Sequence, residues 1–393
     1  MHEAPPVATR PESAVPLLPR YGERSLAEVF PAVLAALGVP GPAPAITLPP
    51  VRAAAVLLVD GLGSELLRDH APDAPTLAAL AGEPVTVGFP SSTSISVTSL
   101  GTGLPPGTHG LVGITFKACG EQMLDSLKWT AYGDPEDTDL RESLPPERIQ
   151  PHDTALQRAA ADQVRVTSVG PRSFRGSGLT RAALRGGHYQ GVLALGDLTA
   201  EIVAALSGPG RRLVYGYHAD LDTLGHLHGP GSTPWRFQLR VIDLMVSTLV
   251  EQLPPDALLL VTGDHGMVRV TRRHDADQLT PLRLGVRLLG GDPRARHIYV
   301  RDGALADVRA SWQDTLGDDA WIATRDEAVA QNWFGPVGEH VAERIGDLVV
   351  AMRGSAGVVR SIAEPTLATL PGQHGSLTAA EQLVPLALAT TVR

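Results

Sequence analysis

Cysteine is almost missing from this sequence of 393 residues. The single Cys119 cannot form a disulfide within the chain, and no Cys-x-x-Cys pair is present for a thiolate metal site or a redox site. Basic residues are also a minority, with 33 Lys and Arg against 42 Asp and Glu and no long basic run. This balance argues against a nucleic-acid polymer as the main partner.

Long apolar runs are absent as well. The longest are short stretches such as AAAVLLV (53–59), well below the roughly 18 residues that span a bilayer. The N-terminal segment is rich in proline, is broken by charges, and contains no pattern of a secretory signal peptide. We therefore expect a flexible arm over residues 1–25, no membrane partner and a cytoplasmic location.

What the sequence does contain is a series of short apolar runs that stop abruptly at turn residues. Such runs are typical of strands buried on both faces of a sheet. They cover residues 53–59, 192–195, 213–217 and 257–261. Between Pro234 and Leu253, apolar residues recur at helical spacing. This alternation predicts an α/β fold with a large, mostly parallel central sheet flanked by helices.

The stretch over residues 269–359 has a different character. It reads as strand, helix and strand, and it carries three of the five tryptophans in or just after its middle part. We expect a smaller inserted α+β lobe there. The predicted catalytic core then consists of residues 26–268 and 360–393.

Four separate segments place acidic or imidazole groups in a glycine-bearing turn. Each has an ordinary alternative, such as a plain turn, a solvated surface pair or an exposed histidine. Together they hold three carboxylates and three imidazoles, which is enough for two adjacent zinc-like sites. The candidate residues are Asp60 in VDG, Asp222 and His226 in DTLGH, Asp264 and His265 in GDHG, and His374 in QHG.

The segment FPSSTSISVTSLGTG (89–103) carries eight hydroxyl side chains. Two divalent ions about 4 Å apart can clamp the attacking and leaving oxygens of an in-line displacement at phosphorus. Such a site lacks a nucleophile, and this segment can provide one. The residues alone leave open which of the eight hydroxyls would act.

The order of these motifs resembles the type I phosphodiesterase/nucleotide pyrophosphatase family of the alkaline phosphatase superfamily. The motifs are VDG, FPSSTSISVTSLGTGLPPGTHG, DTLGHLHGP, GDHGM and HG. The family's nucleophile motif, Phe-Pro-Thr-x-Thr followed by Leu-x-Thr-Gly-x-x-Pro-x-x-His-Gly, fits residues 89–110 without a gap. The resemblance extends over about residues 50–390 and implies an alkaline phosphatase-like fold.

The resemblance implies a role for each candidate. Thr93 falls on the nucleophile, which would form a phospho-threonine intermediate. Asp222, His226 and His374 fall on the first metal site, and the second comprises Asp60, Thr93, Asp264 and His265. Two divalent ions are implied, with zinc expected and manganese or iron as alternatives. The expected substrate is a small phosphate ester, most simply a phosphodiester.

Two positions depart from the family's pattern. An Asn that helps to hold a non-bridging phosphate oxygen is replaced by Ile114, and an Asn expected three residues after the nucleophile is replaced by Ser96. Because Ile114 cannot donate a hydrogen bond, we consider Thr115, Lys117 and Arg175 as substitutes.

These departures keep other functions open. A phosphonate, phosphomonoester or sulfate-ester hydrolase on the same scaffold is the nearest alternative. A pseudoenzyme that retains metals for binding is the alternative from another class. The sequence does not fix the natural substrate or the oligomeric state.

Overall fold

A computed structural model describes residues 15–392, which contain nineteen strands. In chain order they are β1 (Ala53–Val59), β2 (Val85–Thr86), β3 (Thr115–Cys119), β4 (Gln122–Asp125), β5 (Thr130–Ala131), β6 (Arg165–Pro171), β7 (His188–Val192), β8 (Arg212–His218), β9 (Ala257–Thr262), β10 (Val268–Arg269), β11 (Arg272–Asp275), β12 (Val286–Asp292), β13 (Ala295–Val300), β14 (Ala320–Thr324), β15 (Leu348–Met352), β16 (Ala356–Val359), β17 (Gly372–Gln373), β18 (Leu383–Val384) and β19 (Leu386–Thr390).

The same residues contain sixteen α-helices, besides five short 3-10 helices. The α-helices are α1 (Val29–Ala36), α2 (Ser64–Asp69), α3 (Pro75–Leu80), α4 (Thr93–Thr102), α5 (Pro106–His109), α6 (Pro146–Ile149), α7 (Ala155–Ala161), α8 (Gly178–Ala183), α9 (Leu195–Ser207), α10 (Asp220–His228), α11 (Thr233–Glu251), α12 (Leu305–Leu316), α13 (Arg325–Ala330), α14 (Glu339–Ala342), α15 (Pro365–Thr369) and α16 (Ala379–Gln382). None of the helices in the described part of the chain has the length and apolar character needed to cross a bilayer.

The central sheet has six strands in the order β19-β9-β1-β8-β6-β7. All neighbouring pairs are parallel except β19 with β9, which is antiparallel at one edge. The predicted α/β fold with a mostly parallel sheet is therefore confirmed. The apolar runs at 53–59, 213–217 and 257–261 form three adjacent strands at its centre.

The apolar run at 192–195 behaves differently from the other three. Strand β7 ends at its first residue, Val192, and helix α9 begins at its last residue, Leu195. The Asp197 carboxylate accepts a hydrogen bond from the Leu193 N–H at 3.2 Å. An acidic group in the first turn of a helix stabilises its start, so the run divides between two elements.

Strand β1 is apolar throughout because it is buried on both faces. Alternate side chains point to opposite sides of a strand. Ala54, Val56 and Leu58 join a core that includes residues of α1 and α4, whereas Leu57 and Val59 join a core formed with α9 and α11. The two cores hold the strand ends in fixed positions relative to α4.

The helix predicted over residues 234–253 is α11, Thr233–Glu251. Pro234 lies in its first turn, where the missing N–H costs no intrahelical hydrogen bond. Burial in the core explains only part of the apolar pattern of α11, since Leu244, which belongs to that pattern, is 69% exposed.

A second sheet has four strands in the order β12-β13-β15-β14, all antiparallel. Helix α12 packs against it and buries Trp312 in a separate core. Strand β11 precedes these elements along the chain and β16 follows them, and the two strands form a short parallel pair. All of them lie within the range 269–359 that the sequence predicts as an inserted lobe.

The predicted N-terminal arm is described only from residue 15, and its first 14 residues lie outside the described part. Within residues 15–25, Leu18 packs against a buried core cluster and Ser25 is buried. The Tyr21 hydroxyl donates to the Trp333 carbonyl at 3.0 Å and accepts from the Phe89 N–H at 3.1 Å. This segment is therefore tied to the loop that precedes α4.

A buried ion pair joins the turn before β13 to helix α16. Arg294 Nε lies 3.0 Å from Glu381 Oε1, and Nη2 lies 2.7 Å from Oε2, with both side chains fully buried. Glu381 also accepts from the Ser376 N–H at 3.0 Å. The pair therefore connects the second sheet to the segment that follows His374.

We expect Arg294→Ala to lower the free energy of unfolding by about 3–5 kcal/mol, because it leaves the Glu381 carboxylate buried without its partner. The control is Arg287→Ala, whose ion pair with Glu121 is solvent-exposed on both sides. That change should cost less than about 1 kcal/mol. Denaturant unfolding of the two variants measures both values, and equal losses would contradict this role for Arg294.

Candidate active site

The central strands β9, β1 and β8 each end beside an acidic residue. Asp60 follows β1 directly, Asp264 lies two residues beyond β9, and Asp222 lies in the first turn of α10 after β8. Gly61 has a φ of +75°, and a Cβ there would lie 2.9 Å from the Asp222 Cα. Glycine is needed at this position because the two backbones approach so closely.

The first cluster contains Asp222, His226 and His374. Asp222 and His226 are four residues apart on α10, so their side chains share one face. The Nε2 of His226 lies 3.4 Å from Asp222 Oδ2, and the Nε2 of His374 lies 3.9 Å from Oδ1. His374 follows β17 and comes from the far end of the chain.

The second cluster contains Asp60, Asp264 and His265. The Nε2 of His265 lies 3.3 Å from Asp60 Oδ1 and 3.7 Å from Asp264 Oδ2. In each cluster the candidate ligand atoms lie within 4.8 Å of one another. The rings of His265 and His374 stack with 3.5 Å between their centroids, so the two clusters are adjacent.

Each of the three imidazoles donates a hydrogen bond from Nδ1 to a backbone carbonyl. The pairs are His226 with Gly372 at 2.7 Å, His374 with Ser91 at 2.9 Å and His265 with Gly266 at 3.0 Å. These bonds place a proton on Nδ1 of each ring and direct Nε2 towards the carboxylates, where it is the ring atom that can ligate a cation. Such an arrangement is typical of imidazoles that ligate metal ions.

The carboxylates are only partly satisfied. Asp264 Oδ1 accepts from the Gly61 N–H at 3.0 Å, and the Tyr217 hydroxyl donates to Asp60 Oδ2. Three buried oxygens form no hydrogen bond of regular geometry within the described chain: Asp60 Oδ1, Asp222 Oδ1 and Asp264 Oδ2. Unpaired buried carboxylate oxygens are costly unless a cation or proton compensates them.

The pKa values of titratable groups in both clusters reflect this cost. Burial raises the pKa of Asp264 to about 7, and it raises that of Asp222 well above its usual range. For His265, burial alone would lower the pKa, but the charges of Asp264 and Asp60 outweigh it and raise the value to about 10. The donor set of carboxylates and imidazoles fits divalent ions such as zinc, because a bound cation takes the place of these protons.

Thr93 begins helix α4, and its Oγ1 lies 3.3 Å from His265 Nε2. The preceding Ser92 has an extended backbone, and its side chain does not cap the helix. The first N–H groups of α4 are therefore left without a side-chain cap next to the Thr93 hydroxyl. A helix start of this kind favours a bound anion.

The other hydroxyls of the segment make different contacts. Ser91 donates to the Ser376 carbonyl, Thr98 to the Ser94 carbonyl, and Thr102 to the Thr98 carbonyl. Ser94 accepts from Ser126, Ser99 bonds His109, and the hydroxyls of Ser92 and Ser96 are buried without a partner in the described chain. Among the described contacts of these eight hydroxyls, the bond to a candidate ligand belongs to Thr93.

A cavity of about 320 Å³ adjoins Thr93, Asp60 and Asp222. Its other walls are largely apolar and aromatic, with Phe174 and Tyr217 among them. It also includes Lys128, which sequence reasoning missed. The two-residue spacing of Tyr215 and Tyr217 on β8 is a signal that could have placed both on one face beside the site.

The three residues considered as substitutes for the missing Asn are engaged elsewhere. The Thr115 hydroxyl donates to the Gly291 carbonyl at 2.9 Å. The Lys117 ammonium lies 5.6 Å from the centroid of the Tyr299 ring, and the Arg175 guanidinium donates to the Tyr189 carbonyl at 2.9 Å. The cavity lining does not include any of the three.

The sequence matches the family described as type I phosphodiesterase / nucleotide pyrophosphatase over residues 54–377. The chain belongs to this family. It is thus a hydrolase of phosphoric ester bonds, in a metal-dependent family, and its two side-chain clusters could hold metal ions. A comparison with curated protein sequences finds no significant match.

Solved structures share the fold at low sequence identity. Murine ectonucleotide pyrophosphatase / phosphodiesterase 5 is 16% identical with a TM-score of 0.64, over 85% of this chain and 87% of that one. Phosphonoacetate hydrolase from Sinorhizobium meliloti 1021, in complex with phosphonoformate, is 20% identical with a TM-score of 0.65, over 87% and 91%. The alkaline phosphatase-like fold predicted from the motifs is confirmed.

We expect divalent zinc or manganese to stabilise the protein, because either cation compensates the buried carboxylates. At a concentration of 100 times Kd, each ion should add about 2.7 kcal/mol to the free energy of unfolding. Asp264→Asn should remove most of this gain for the second cluster. Thermal unfolding with and without added cation measures the effect.

Asp243→Asn is the matched control for this experiment. Asp243 is also a buried aspartate, but it accepts hydrogen bonds from the N–H groups of Thr76 and Leu77 at the start of α3. Its variant should keep the full cation-dependent gain. A gain lost equally in both variants would contradict the assignment of Asp264 to a cation site.

Proposed function

We propose that this protein is a phosphodiesterase of the nucleotide pyrophosphatase type that uses two divalent ions and a phospho-threonine intermediate on Thr93. The observation that carries the proposal is the position of the Thr93 hydroxyl. It lies at the start of α4, in contact with His265 of the second cluster, whose ring stacks on His374 of the first cluster.

The proposed ligands follow the two clusters. Asp222, His226 and His374 would hold one ion, and Asp60, Asp264 and His265 would hold the other together with Thr93. The unpartnered carboxylate oxygens and the inward Nε2 atoms support this assignment. Divalent ions supply Lewis-acid charge, which favours the deprotonated hydroxyl and balances the negative charge of the phosphoryl oxygens.

In the proposed reaction, Thr93 Oγ attacks the phosphorus and forms an O–P bond while the ester bond to the leaving alcohol breaks. Water then attacks the same phosphorus, releasing the phosphate monoester and restoring the Thr93 hydroxyl. The N–H groups at the start of α4 face the phosphoryl oxygens, where the helix dipole favours negative charge. Burial of α4 keeps the nucleophile in place.

Lys128 is our candidate for part of the role of the missing Asn. It is the one basic residue among those that line the cavity within the described chain. Its ammonium lies 2.9 Å from Asp137 Oδ2, and that contact raises the Lys128 pKa, so the side chain stays charged. Both side chains are exposed, and the pair can separate at little cost.

Thr93→Ala should reduce turnover of bis(p-nitrophenyl) phosphate by at least about 10³-fold, because, among the eight hydroxyls of residues 89–103, the described contact with a candidate ligand belongs to Thr93. Both ions should remain bound, which metal analysis of the purified variant measures. Acid quenching of the wild type followed by peptide mass spectrometry should locate phosphate on Thr93.

Ser92→Ala is the control, since this neighbouring hydroxyl is buried and has no partner in the described chain. Its turnover should stay within about threefold of the wild type. A Thr93→Ala variant that keeps near wild-type turnover would overturn the proposed mechanism. Turnover of phosphomonoesters, phosphonates and sulfate esters by the wild type, measured in parallel, separates a diesterase from the alternative hydrolases. A wild-type protein that binds both ions but turns over none of these substrates would favour a pseudoenzyme.

A further inference from the structure

The cavity beside Thr93 has walls that are mainly apolar. Side chains from the loop after β4, from α4, from the turn before α8, from α8 itself and from β7 and β8 meet there. The main contributors are Val97, Leu127, Phe174, Leu179, Tyr189 and Tyr217. The rings of Phe174 and Tyr217 are tilted against each other with 5.9 Å between centroids.

Two of these apolar residues are exposed at the surface. Leu127 is 39% exposed and Phe174 is 40% exposed, although both are large and hydrophobic. Other lining residues, such as Val97 and Tyr215, are buried. The cavity therefore has a solvent-exposed apolar rim and an interior lined by buried residues. Such a cavity is suited to binding an apolar group.

The polar atoms of the lining are largely engaged within the protein. The Tyr189 hydroxyl donates to the Pro171 carbonyl at 2.9 Å, the Thr223 hydroxyl to the Ala219 carbonyl, and the Tyr217 hydroxyl to Asp60. The Ser177 hydroxyl donates to Thr180 at 3.0 Å. Few of these groups are available to recognise a polar ligand.

Tyr215 is the exception inside the cavity. Its side chain is 2% exposed, and its hydroxyl has no hydrogen-bond partner in the described chain. A buried hydroxyl without a partner costs free energy, so the site is suited to a ligand that offers one acceptor. Lys128 lies among the lining residues as well, with its ammonium paired to the exposed Asp137.

We propose that this cavity binds the organic group of the substrate, and that the group is a mainly apolar, ring-sized substituent with at most one deep hydrogen-bond acceptor. This inference rests on the proposed phosphodiesterase function, since the phosphorus centre must lie beside Thr93. A cavity of 150 Å³ holds benzene, so about 320 Å³ accommodates one ring and several further atoms.

A nucleoside fits this environment less well than an aryl or alkyl group. A nucleobase and a ribose bring many donors and acceptors, and each buried one needs a partner. Tyr215 is the one hydroxyl of the described lining that lacks any partner. The chemistry of the walls therefore favours an apolar ester group over a nucleotide.

Titration calorimetry of the zinc-loaded or manganese-loaded protein with methylphosphonate, phenylphosphonate and AMP tests the proposal. Phenylphosphonate should bind at least about tenfold more tightly than methylphosphonate, because only the phenyl ring fills the cavity. Adenosine monophosphate should bind no more tightly than phenylphosphonate. Equal affinities for the two phosphonates, or tightest binding of AMP, would overturn the inference.

Two variants connect the preference to the cavity. Phe174→Ala and Leu127→Ala should each lower the phenyl-to-methyl affinity ratio by about threefold or more, and both residues are exposed enough for the fold to persist. Leu244→Ala, an exposed apolar residue on α11, should leave the ratio unchanged. Unchanged ratios in both cavity variants would also contradict the inference.

The same protein samples separate this inference from the proposed function. Turnover of bis(p-nitrophenyl) phosphate is measured on each sample in parallel. A protein that turns over the diester but shows no phenyl preference retains the function and loses the inference. A protein that prefers phenylphosphonate without turnover retains the cavity assignment and loses the proposed function.

Discussion

Three carboxylates that meet at the ends of adjacent parallel strands, two of them buried and the third half-buried, are the constraint on which this structure depends. Asp60, Asp222 and Asp264 converge because β1, β8 and β9 are neighbours and parallel, so their carboxyl ends meet at one edge of the sheet. Within residues 15–392, the ion pairs of these three carboxylates are with imidazoles, and none is with a lysine or an arginine. Such a concentration of negative charge calls for cations, and the Thr93 hydroxyl lies where that positive charge would act on it.

The surroundings of the site hold its side chains in place. Backbone carbonyls set the imidazole orientations, and the Arg294–Glu381 pair connects the segment after His374 to the second sheet. Tyr217 donates to Asp60 and also forms part of the apolar cavity. A substrate held in the cavity would therefore contact a residue that also orients a carboxylate of the site, and under our proposals this joins specificity to the position of the candidate metal ligands.

Much of this arrangement could be predicted from the sequence, because it depends on local patterns. The apolar runs before Asp60 and Asp264 predict strands, and the four-residue spacing of Asp222 and His226 predicts a shared helix face. The cavity could not be predicted, since its walls come from many distant segments. Closeness to the motif in the sequence favours Thr115 and Lys117, whereas Lys128 enters the lining because β3 and β4 pair and the following loop turns towards Thr93. Likewise, the apolar run at 192–195 does not show that β7 ends and α9 begins within it, where the Asp197 carboxylate accepts from the Leu193 N–H.

The central claim is that two cations compensate the two clusters around Thr93. Anomalous diffraction from crystals of the zinc-loaded or manganese-loaded protein, recorded on both sides of the metal's absorption edge, tests it most directly. The account predicts two peaks, one among Asp222, His226 and His374 and the other among Asp60, Asp264 and His265, with Thr93 Oγ1 next to the second. A single peak, or peaks held by other residues, would contradict it.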